Sequence, residues 1–153
     1  MKRTSQDSIN DIPQKEGDKI SRDNIKKRGL TRFVRSFSFS ISGLKYAYKY
    51  EQSMFVHVIA TICVITANII FKVQPIEWLI TVLAIGMVLA AELINTAIEA
   101  IVDMVTLEFH PLAKIAKDCG SAATFVLAVM AAVIGVVVYL PHILELLKGI
   151  GII

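Results

Sequence analysis

The chain has 153 residues, of which 55% are hydrophobic and 19% are charged, and its formal net charge at pH 7 is +3. Soluble domains carry about 25% charged residues, so the composition excludes an ordinary water-soluble globular domain, and the length allows one domain. The small positive charge gives no indication of a nucleic-acid function, because it reflects an uneven distribution of lysine and arginine along the chain.

The first segment, residues 1–28, is polar and lacks the apolar central region of a cleavable signal peptide. We expect it to be a disordered tail, since it has too little apolar surface to repay ordering. The first membrane-spanning helix would then serve as the internal targeting signal.

Next along the chain, apolar residues recur at helical spacing from Leu30 to Tyr48, with arginine and lysine on the other side. This pattern predicts an amphipathic helix over residues 30–52, lying on the membrane surface. A helix packed against a partner protein is the alternative. Alternating serines weaken the pattern, and Gly43 could break the helix.

Three apolar stretches are long enough to cross a bilayer as helices, namely residues 54–71, 78–102 and 122–140. The first and third contain no charged residue, whereas helices of a soluble bundle would show polar stripes. Pro111 suits the first turn of the third helix. The sequence therefore predicts an all-α membrane protein with three transmembrane helices, followed by a tail at 141–153.

Lysine and arginine predict the orientation of these helices. Twelve of the 16 lie before Met54, and two more lie between the second and third spans. By the positive-inside rule, the N-terminus and the 106–120 loop are cytoplasmic, and residues 141–153 are extracytoplasmic. We therefore predict a multi-pass protein of the plasma or inner membrane.

A polar stripe interrupts the second span. Glu92, Asn95, Glu99 and Asp103 fall within an arc of roughly 80° on one helix face. Inserting a carboxylate at mid-membrane costs on the order of 3 kcal/mol, so the stripe predicts a function.

Three interpretations of the stripe compete: a polar face that joins helices, a proton or ion pathway, and a metal-assisted catalytic site at the cytoplasmic interface. Lys114, Lys117, Asp118 and Ser121 share one face of the next helix. Carboxylates opposite a Lys-Asp pair suit a metal–phosphate complex better than a pore. The chain has no glycine-rich phosphate loop, so metal and side chains would have to hold any nucleotide.

These residues also resemble a known family. The run from Glu92 to Glu99, then Asp103, then Glu108 to Asp118 is similar to the signature of the small prokaryotic diacylglycerol kinase/undecaprenol kinase family. The similarity extends from about residue 29 to residue 140. It implies a membrane lipid kinase domain over 29–140 that works as a homotrimer and transfers the γ-phosphoryl group of MgATP to a lipid hydroxyl.

The resemblance also implies roles for individual residues. Glu92 would be the general base that deprotonates the lipid hydroxyl, and Glu51 and Glu99 would hold Mg²⁺. Asn95 and Ser121 match positions beside the acceptor. The positions that match nucleotide contacts are Arg32, Glu108, His110, Lys117 and Asp118, together with the two metal-binding glutamates.

The lipid acceptor stays open between two alternatives. Residues 76–78 and 110–114 resemble the Gram-positive branch that favours undecaprenol, whereas the run after Asp118 resembles the diacylglycerol-specific branch. Undecaprenol is slightly preferred, giving undecaprenyl phosphate, with diacylglycerol and phosphatidic acid as the alternative. His57 and His142 match no position of the family pattern and are interpreted as structural.

Overall fold

The computed structural model describes residues 30–151, with side chains from Phe33 onward. Four helices account for most of this part: α1 (Leu30–Tyr50), α2 (Gln52–Ile70), α3 (Pro75–Val105) and α4 (Pro111–Gly149). The described residues contain no β-strand, so the all-α class is confirmed. The predicted tail over residues 1–28 lies outside the described residues.

The described chain divides into two compact units between Tyr50 and Glu51. The sequence predicted a surface helix over 30–52 that included Glu51. In the structure this helix ends at Tyr50, and Glu51 is the N-cap of α2, with extended backbone angles of φ −98° and ψ 115°. This glutamate therefore belongs to the unit that contains the apolar helices.

Helix α1 runs without interruption through Gly43, where the sequence allowed a break. Ser40 and Ser42 each donate a hydrogen bond to the carbonyl oxygen four residues earlier, at 3.0 and 2.9 Å, so these hydroxyls are satisfied within the helix. Its apolar residues are exposed, for example Phe33 and Phe39 at 63% and 72%. Its position on the membrane surface stays a prediction.

Helices α2, α3 and α4 are each long and apolar enough to cross a membrane, as the sequence predicted. Large apolar side chains on all three are exposed, such as Ile62, Leu83 and Phe125. Because such a surface is unfavourable in water, it indicates contact with lipid. Helix α4 continues beyond residue 140, through Pro141 to Gly149.

Helix α3 packs against both α2 and α4, and most extensively against α4. Since consecutive helices run in opposite directions, α2 begins, α3 ends and α4 begins at the same end of this bundle. We call it the Glu92 end and the opposite end the Tyr139 end.

Local sequence explains where α3 and α4 begin. The backbone N–H of Gln74 donates to Glu77 Oε2 at 2.7 Å, which forms a capping box, and Pro75 occupies the first turn. His110 is the N-cap of α4, and its Nδ1 accepts a hydrogen bond from the backbone N–H of Leu112 at 3.2 Å. Pro111 follows as the first residue of the helix. The predicted start of the third helix at His110-Pro111 is therefore confirmed.

Candidate active site

Glu92 is buried inside the bundle and is only 2% exposed. The hydroxyl of Ser53 donates to its Oε1. On the other side, His57 Nε2 lies 4.0 Å from its Oε2. Both neighbours come from α2, so this carboxylate is held between two helices at a depth where water is scarce.

More carboxylates converge on the same end. Burial raises the pKa of Glu51 above its ordinary value, and the negative charges of Glu99, Glu92 and Asp103 raise it further, whereas Lys117 opposes the shift. The chain thus brings Glu51 close to the polar stripe of α3, although more than 40 positions separate them in the sequence. This crowding of like charges favours the binding of a cation.

The residues present fit a magnesium ion that is completed by substrate. Among the side chains described, no group of three or more His, Cys, Asp or Glu is arranged as a metal site. Magnesium, however, is often held by one or two carboxylates plus phosphate oxygens. Glu51 and Glu99 supply hard oxygen donors, and the raised pKa of Glu51 records negative charge that a cation would neutralise.

Asn95 lies one turn from Glu92 and is 8% exposed. Its Nδ2 donates to Glu99 Oε1 at 2.9 Å, which orients that carboxylate. Its Oδ1 has no hydrogen-bond partner among the described residues. Gly120 of α4 packs directly against this oxygen, and a Cβ at that position would collide with it. The glycine therefore permits the close approach of α4 to the stripe.

The lysines at the start of α4 are already paired with carboxylates. Lys117 Nζ lies 2.5 Å from Asp103 Oδ1, and Lys114 pairs with Asp118 one turn along the same helix. The Lys117 pair is half-buried and the Lys114 pair is exposed.

Both ion pairs line a groove of about 380 Å³ at the Glu92 end, beside the loop that joins α3 to α4. This volume lies within the usual range for small-molecule sites. The groove brings together four of the positions matched to nucleotide contacts, and its charged or titratable lining consists of Asp103, Glu108, His110, Lys114, Lys117 and Asp118.

Two predicted site residues have no described contact with the carboxylates near Glu51 or with the groove beside the α3–α4 loop. Ser121 is exposed on α4 and does not line the groove beside the loop. The backbone of Arg32 lies in α1, but its side chain is outside the described residues.

Ser53 and His57 were missed by the sequence analysis, which interpreted His57 as structural. A usable signal existed, because the two residues are four positions apart and so share a helix face. A histidine inside an otherwise uncharged span is also a sign of function. What the sequence could not show is which neighbouring helix that face meets.

A second groove, of about 280 Å³, runs between α2, α3 and α4. Its lining is almost entirely apolar and rich in small residues, including Ala84, Ala131 and Gly135. His57 lines it near Glu92, and Tyr139 lines it towards the opposite end. The apolar groove therefore extends as far as His57, the neighbour of Glu92 on α2.

The bundle thus combines a buried carboxylate, a groove with charged lining and an apolar groove. The chain belongs to the prokaryotic diacylglycerol kinase family, whose model matches residues 38–139. This confirms the resemblance and the class of enzyme, a membrane lipid kinase. A kinase of this family uses ATP as its co-substrate.

Curated relatives carry two different names. An undecaprenol kinase of Bacillus subtilis (strain 168) is 38% identical over 112 residues, covering 73% of this chain and 91% of the relative. A diacylglycerol kinase of Synechocystis sp. is 34% identical over 113 residues, covering 73% of this chain and 65% of the relative. The diacylglycerol kinase of Escherichia coli (strain K12) is 28% identical over 114 residues, covering 74% and 93%.

Proposed function

We propose that this protein transfers the γ-phosphoryl group of ATP to the hydroxyl of undecaprenol, giving undecaprenyl phosphate, with Glu92 as the general base. The observation that carries the proposal is the environment of Glu92, which is buried beside His57 of the apolar groove and carries one of the negative charges that raise the pKa of Glu51. A lipid alcohol barely ionises at neutral pH, so a base must meet it at the depth of its hydroxyl.

In this proposal the acceptor enters from the membrane, and its hydrocarbon chain lies in the apolar groove. Its hydroxyl then reaches Glu92 past His57. Asn95, one turn further along α3, carries a buried oxygen that has no hydrogen-bond partner among the described residues and lies against Gly120 of α4. Ser121 would face the acceptor from α4.

The nucleotide would occupy the polar groove beside the α3–α4 loop. Lys117 and Lys114 would exchange their carboxylate partners for phosphate oxygens, and Glu108, His110 and Asp118 would contact the rest of the nucleotide. Arg32 would add a further contact. Glu51 and Glu99 would hold Mg²⁺, which when bound supplies neutralisation of phosphoryl charge.

The choice of undecaprenol draws on similarity and on shape. The Bacillus subtilis undecaprenol kinase is 38% identical and matches over 91% of its own length. A single apolar groove also suits an acceptor with one hydrocarbon chain. Diacylglycerol is the second candidate, favoured by the names of the Synechocystis and Escherichia coli relatives.

We also propose a homotrimer in the inner or plasma membrane, with the Glu92 end facing the cytoplasm, where ATP is available. The excess of lysine and arginine before Met54 supports this orientation. Two inactive variants with lesions in different parts of the site should restore activity in mixed oligomers if the site is shared between chains. Failure of every such pair would contradict a shared site.

The direct test of the acceptor is incubation of the purified protein with labelled ATP, Mg²⁺ and mixed micelles containing undecaprenol, diacylglycerol or both. We expect label in undecaprenyl phosphate at the higher kcat/KM. Label mainly in phosphatidic acid would select diacylglycerol, and no labelled lipid would contradict a lipid kinase with either acceptor.

A groove-filling variant tests where the chain of the acceptor lies. Ala131→Leu places a larger side chain in the apolar groove and should raise KM for the lipid without changing KM for MgATP. Ala90→Leu is the matched control, because Ala90 is exposed on α3 and does not line the groove. Equal lipid KM values in the two variants would contradict the assignment of the groove.

A further inference from the structure

Ser53 and His57 occupy one face of α2, because four positions separate them along the helix. That face meets α3 at Glu92. The two residues contact different oxygens of the same carboxylate, with Ser53 at Oε1 and His57 near Oε2. One helix thus presents a polar group to each oxygen of the buried acid.

Burial makes Glu92 depend on these neighbours. An ionised carboxylate is costly in apolar surroundings unless hydrogen-bond donors or positive charges accompany it. Glu92 is 2% exposed, so water contributes little to its solvation. The hydrogen bond that Ser53 of α2 donates therefore helps to fix the orientation of this carboxylate.

The two contacts are unequal in a way that suits a base. Ser53 makes a hydrogen bond to Oε1, whereas the 4.0 Å separation between His57 Nε2 and Oε2 exceeds the usual 2.7–3.2 Å of such a bond. Oε2 is therefore left able to accept a proton. His57 also lines the apolar groove, so its ring stands where the groove meets the carboxylate.

We propose that Ser53 and His57 are positioning residues for Glu92, an inference that rests on the proposed role of Glu92 as the base. Ser53 fixes the carboxylate through Oε1. His57 stands beside Oε2, at the end of the apolar groove, and directs the acceptor hydroxyl towards that oxygen.

In the step that they support, the O–H bond of the acceptor breaks and its proton passes to Glu92 Oε2. The acceptor oxygen forms a bond to the γ-phosphorus of ATP. The bond between that phosphorus and the bridging oxygen of the β-phosphate breaks, which releases ADP.

The electrostatic surroundings of His57 are simple. Glu92 faces it from α3. The α4 residues that line the groove with His57 carry no charged side chain, and Tyr139 is the titratable residue among them. A substitution at His57 should therefore affect mainly Glu92.

The test compares the variants Ser53→Ala, His57→Leu and His57→Gln in the full chain, with kcat and both KM values as readouts. We expect Ser53→Ala to lower kcat about 10- to 100-fold, the range for losing a hydrogen bond to a charged group. His57→Leu should also lower kcat, because the acceptor hydroxyl is no longer directed towards Oε2. KM for MgATP should not change in either variant.

His57→Gln retains a polar N–H group at this position and should recover part of the lost turnover. His142→Leu is the matched control, because His142 also faces a glutamate, Glu77, at 3.1 Å, but at the Tyr139 end. It should leave kcat unchanged. If His57→Leu fails to fold, the kinetics of Ser53→Ala and His57→Gln still test the inference.

Three results would overturn the inference. Wild-type kinetics in Ser53→Ala and His57→Leu beside an inactive Glu92→Gln would remove the positioning roles and leave the base in place. An active Glu92→Gln would remove the base itself. Lower turnover in His57→Leu with no recovery in His57→Gln would identify a packing role.

Discussion

Both ends of the bundle bury polar groups, but they differ in whether these groups have hydrogen-bond partners. At the Tyr139 end, Asn68 is 0% exposed, and it donates from Nδ2 to Thr81 Oγ1 at 2.8 Å. The hydroxyl of Tyr139 donates to Asn68 Oδ1 at 2.6 Å. These bonds join all three apolar helices, and they leave the asparagine side chain paired at both of its polar atoms.

Glu77 also has a partner at that end. His142 faces it at 3.1 Å, and the ring of Phe71 stacks on His142 with centroids 6.2 Å apart. At the Glu92 end, by contrast, burial and neighbouring like charges raise the pKa of Glu51, and Asn95 Oδ1 has no hydrogen-bond partner among the described residues. Paired polar groups stabilise a fold. An unpaired buried polar group costs free energy, and a protein can retain it where the group binds a ligand.

The difference teaches how to separate structure from chemistry in this chain. Both ends supply polar residues in apolar helices, so polarity alone does not separate them. Hydrogen bonding does: Asn68 at the Tyr139 end is paired at both of its polar atoms, whereas Asn95 Oδ1 at the Glu92 end has no partner among the described residues. The predictions below test this distinction, and they run from the largest expected effect to the smallest.

Glu92→Gln should lower kcat by about 10²- to 10⁴-fold, the usual contribution of a general base. The amide can still accept a hydrogen bond from Ser53, so the free energy of unfolding should stay equal or rise as a buried charge is removed. Turnover and unfolding in mixed micelles are the two measurements. Turnover within a few-fold of the wild type would exclude Glu92 as the base.

Glu51→Gln and Glu99→Gln should each raise the Mg²⁺ concentration needed for half-maximal activity by about tenfold or more, because each removes one oxygen ligand of a shared ion. The double variant should be little worse than either single one, since both act on one site. Magnesium titrations of activity measure this. An unchanged requirement in both single variants would exclude the metal assignment.

A matched pair of threonines compares a satisfied hydroxyl with an unsatisfied one. Thr81 and Thr124 are 3% and 6% exposed, but Thr81 Oγ1 accepts from Asn68 whereas Thr124 Oγ1 has no partner among the described residues. Thr81→Val should cost about 1–2 kcal/mol of unfolding free energy, because it leaves the amide of Asn68 unpaired.

Thr124→Val should change the free energy of unfolding by less than about 0.5 kcal/mol, since no bond is lost. Denaturation of both variants in the same micelles gives the comparison. Equal losses would show that the hydrogen bonds at the Tyr139 end do not stabilise the bundle.

Much of this architecture could be predicted from the sequence. Apolar runs of spanning length fixed the number of transmembrane helices, and helical spacing placed Glu92, Asn95 and Glu99 on one face. The pairing partners could not be predicted, because they depend on how the helices are rotated against each other. The contacts of Ser53 and His57 with Glu92, and the ion pair between Asp103 and Lys117, depend on how α2 and α4 pack against α3.

The same reason explains the position of Glu51. Periodicity continued the surface helix through this residue, whereas the structure ends that helix at Tyr50 and gives Glu51 an extended backbone. Element boundaries depend on local geometry that hydrophobic periodicity does not record. The break brings this carboxylate near the stripe on α3, which matters for the last prediction.

The smallest expected effect is a pH dependence of stability caused by Glu51. Its pKa is raised in the folded protein by burial and by the neighbouring Glu99, Glu92 and Asp103 carboxylates, so the folded state holds this proton more tightly than the unfolded chain. Stability therefore falls as the pH rises from the ordinary glutamate pKa of 4.5 towards the raised value, and then levels off.

Glu51→Gln removes the ionisation, so it should match the wild type at acidic pH and be the more stable protein at neutral pH. Added Mg²⁺ should narrow that gap by stabilising the wild type, because a cation bound at Glu51 and Glu99 offsets the repulsion that raises the pKa. Unfolding of both proteins across this pH range, with and without Mg²⁺, measures the effect. If the gap were independent of pH, carboxylate crowding would not be its cause, and the contrast between the two ends would rest on hydrogen bonding alone.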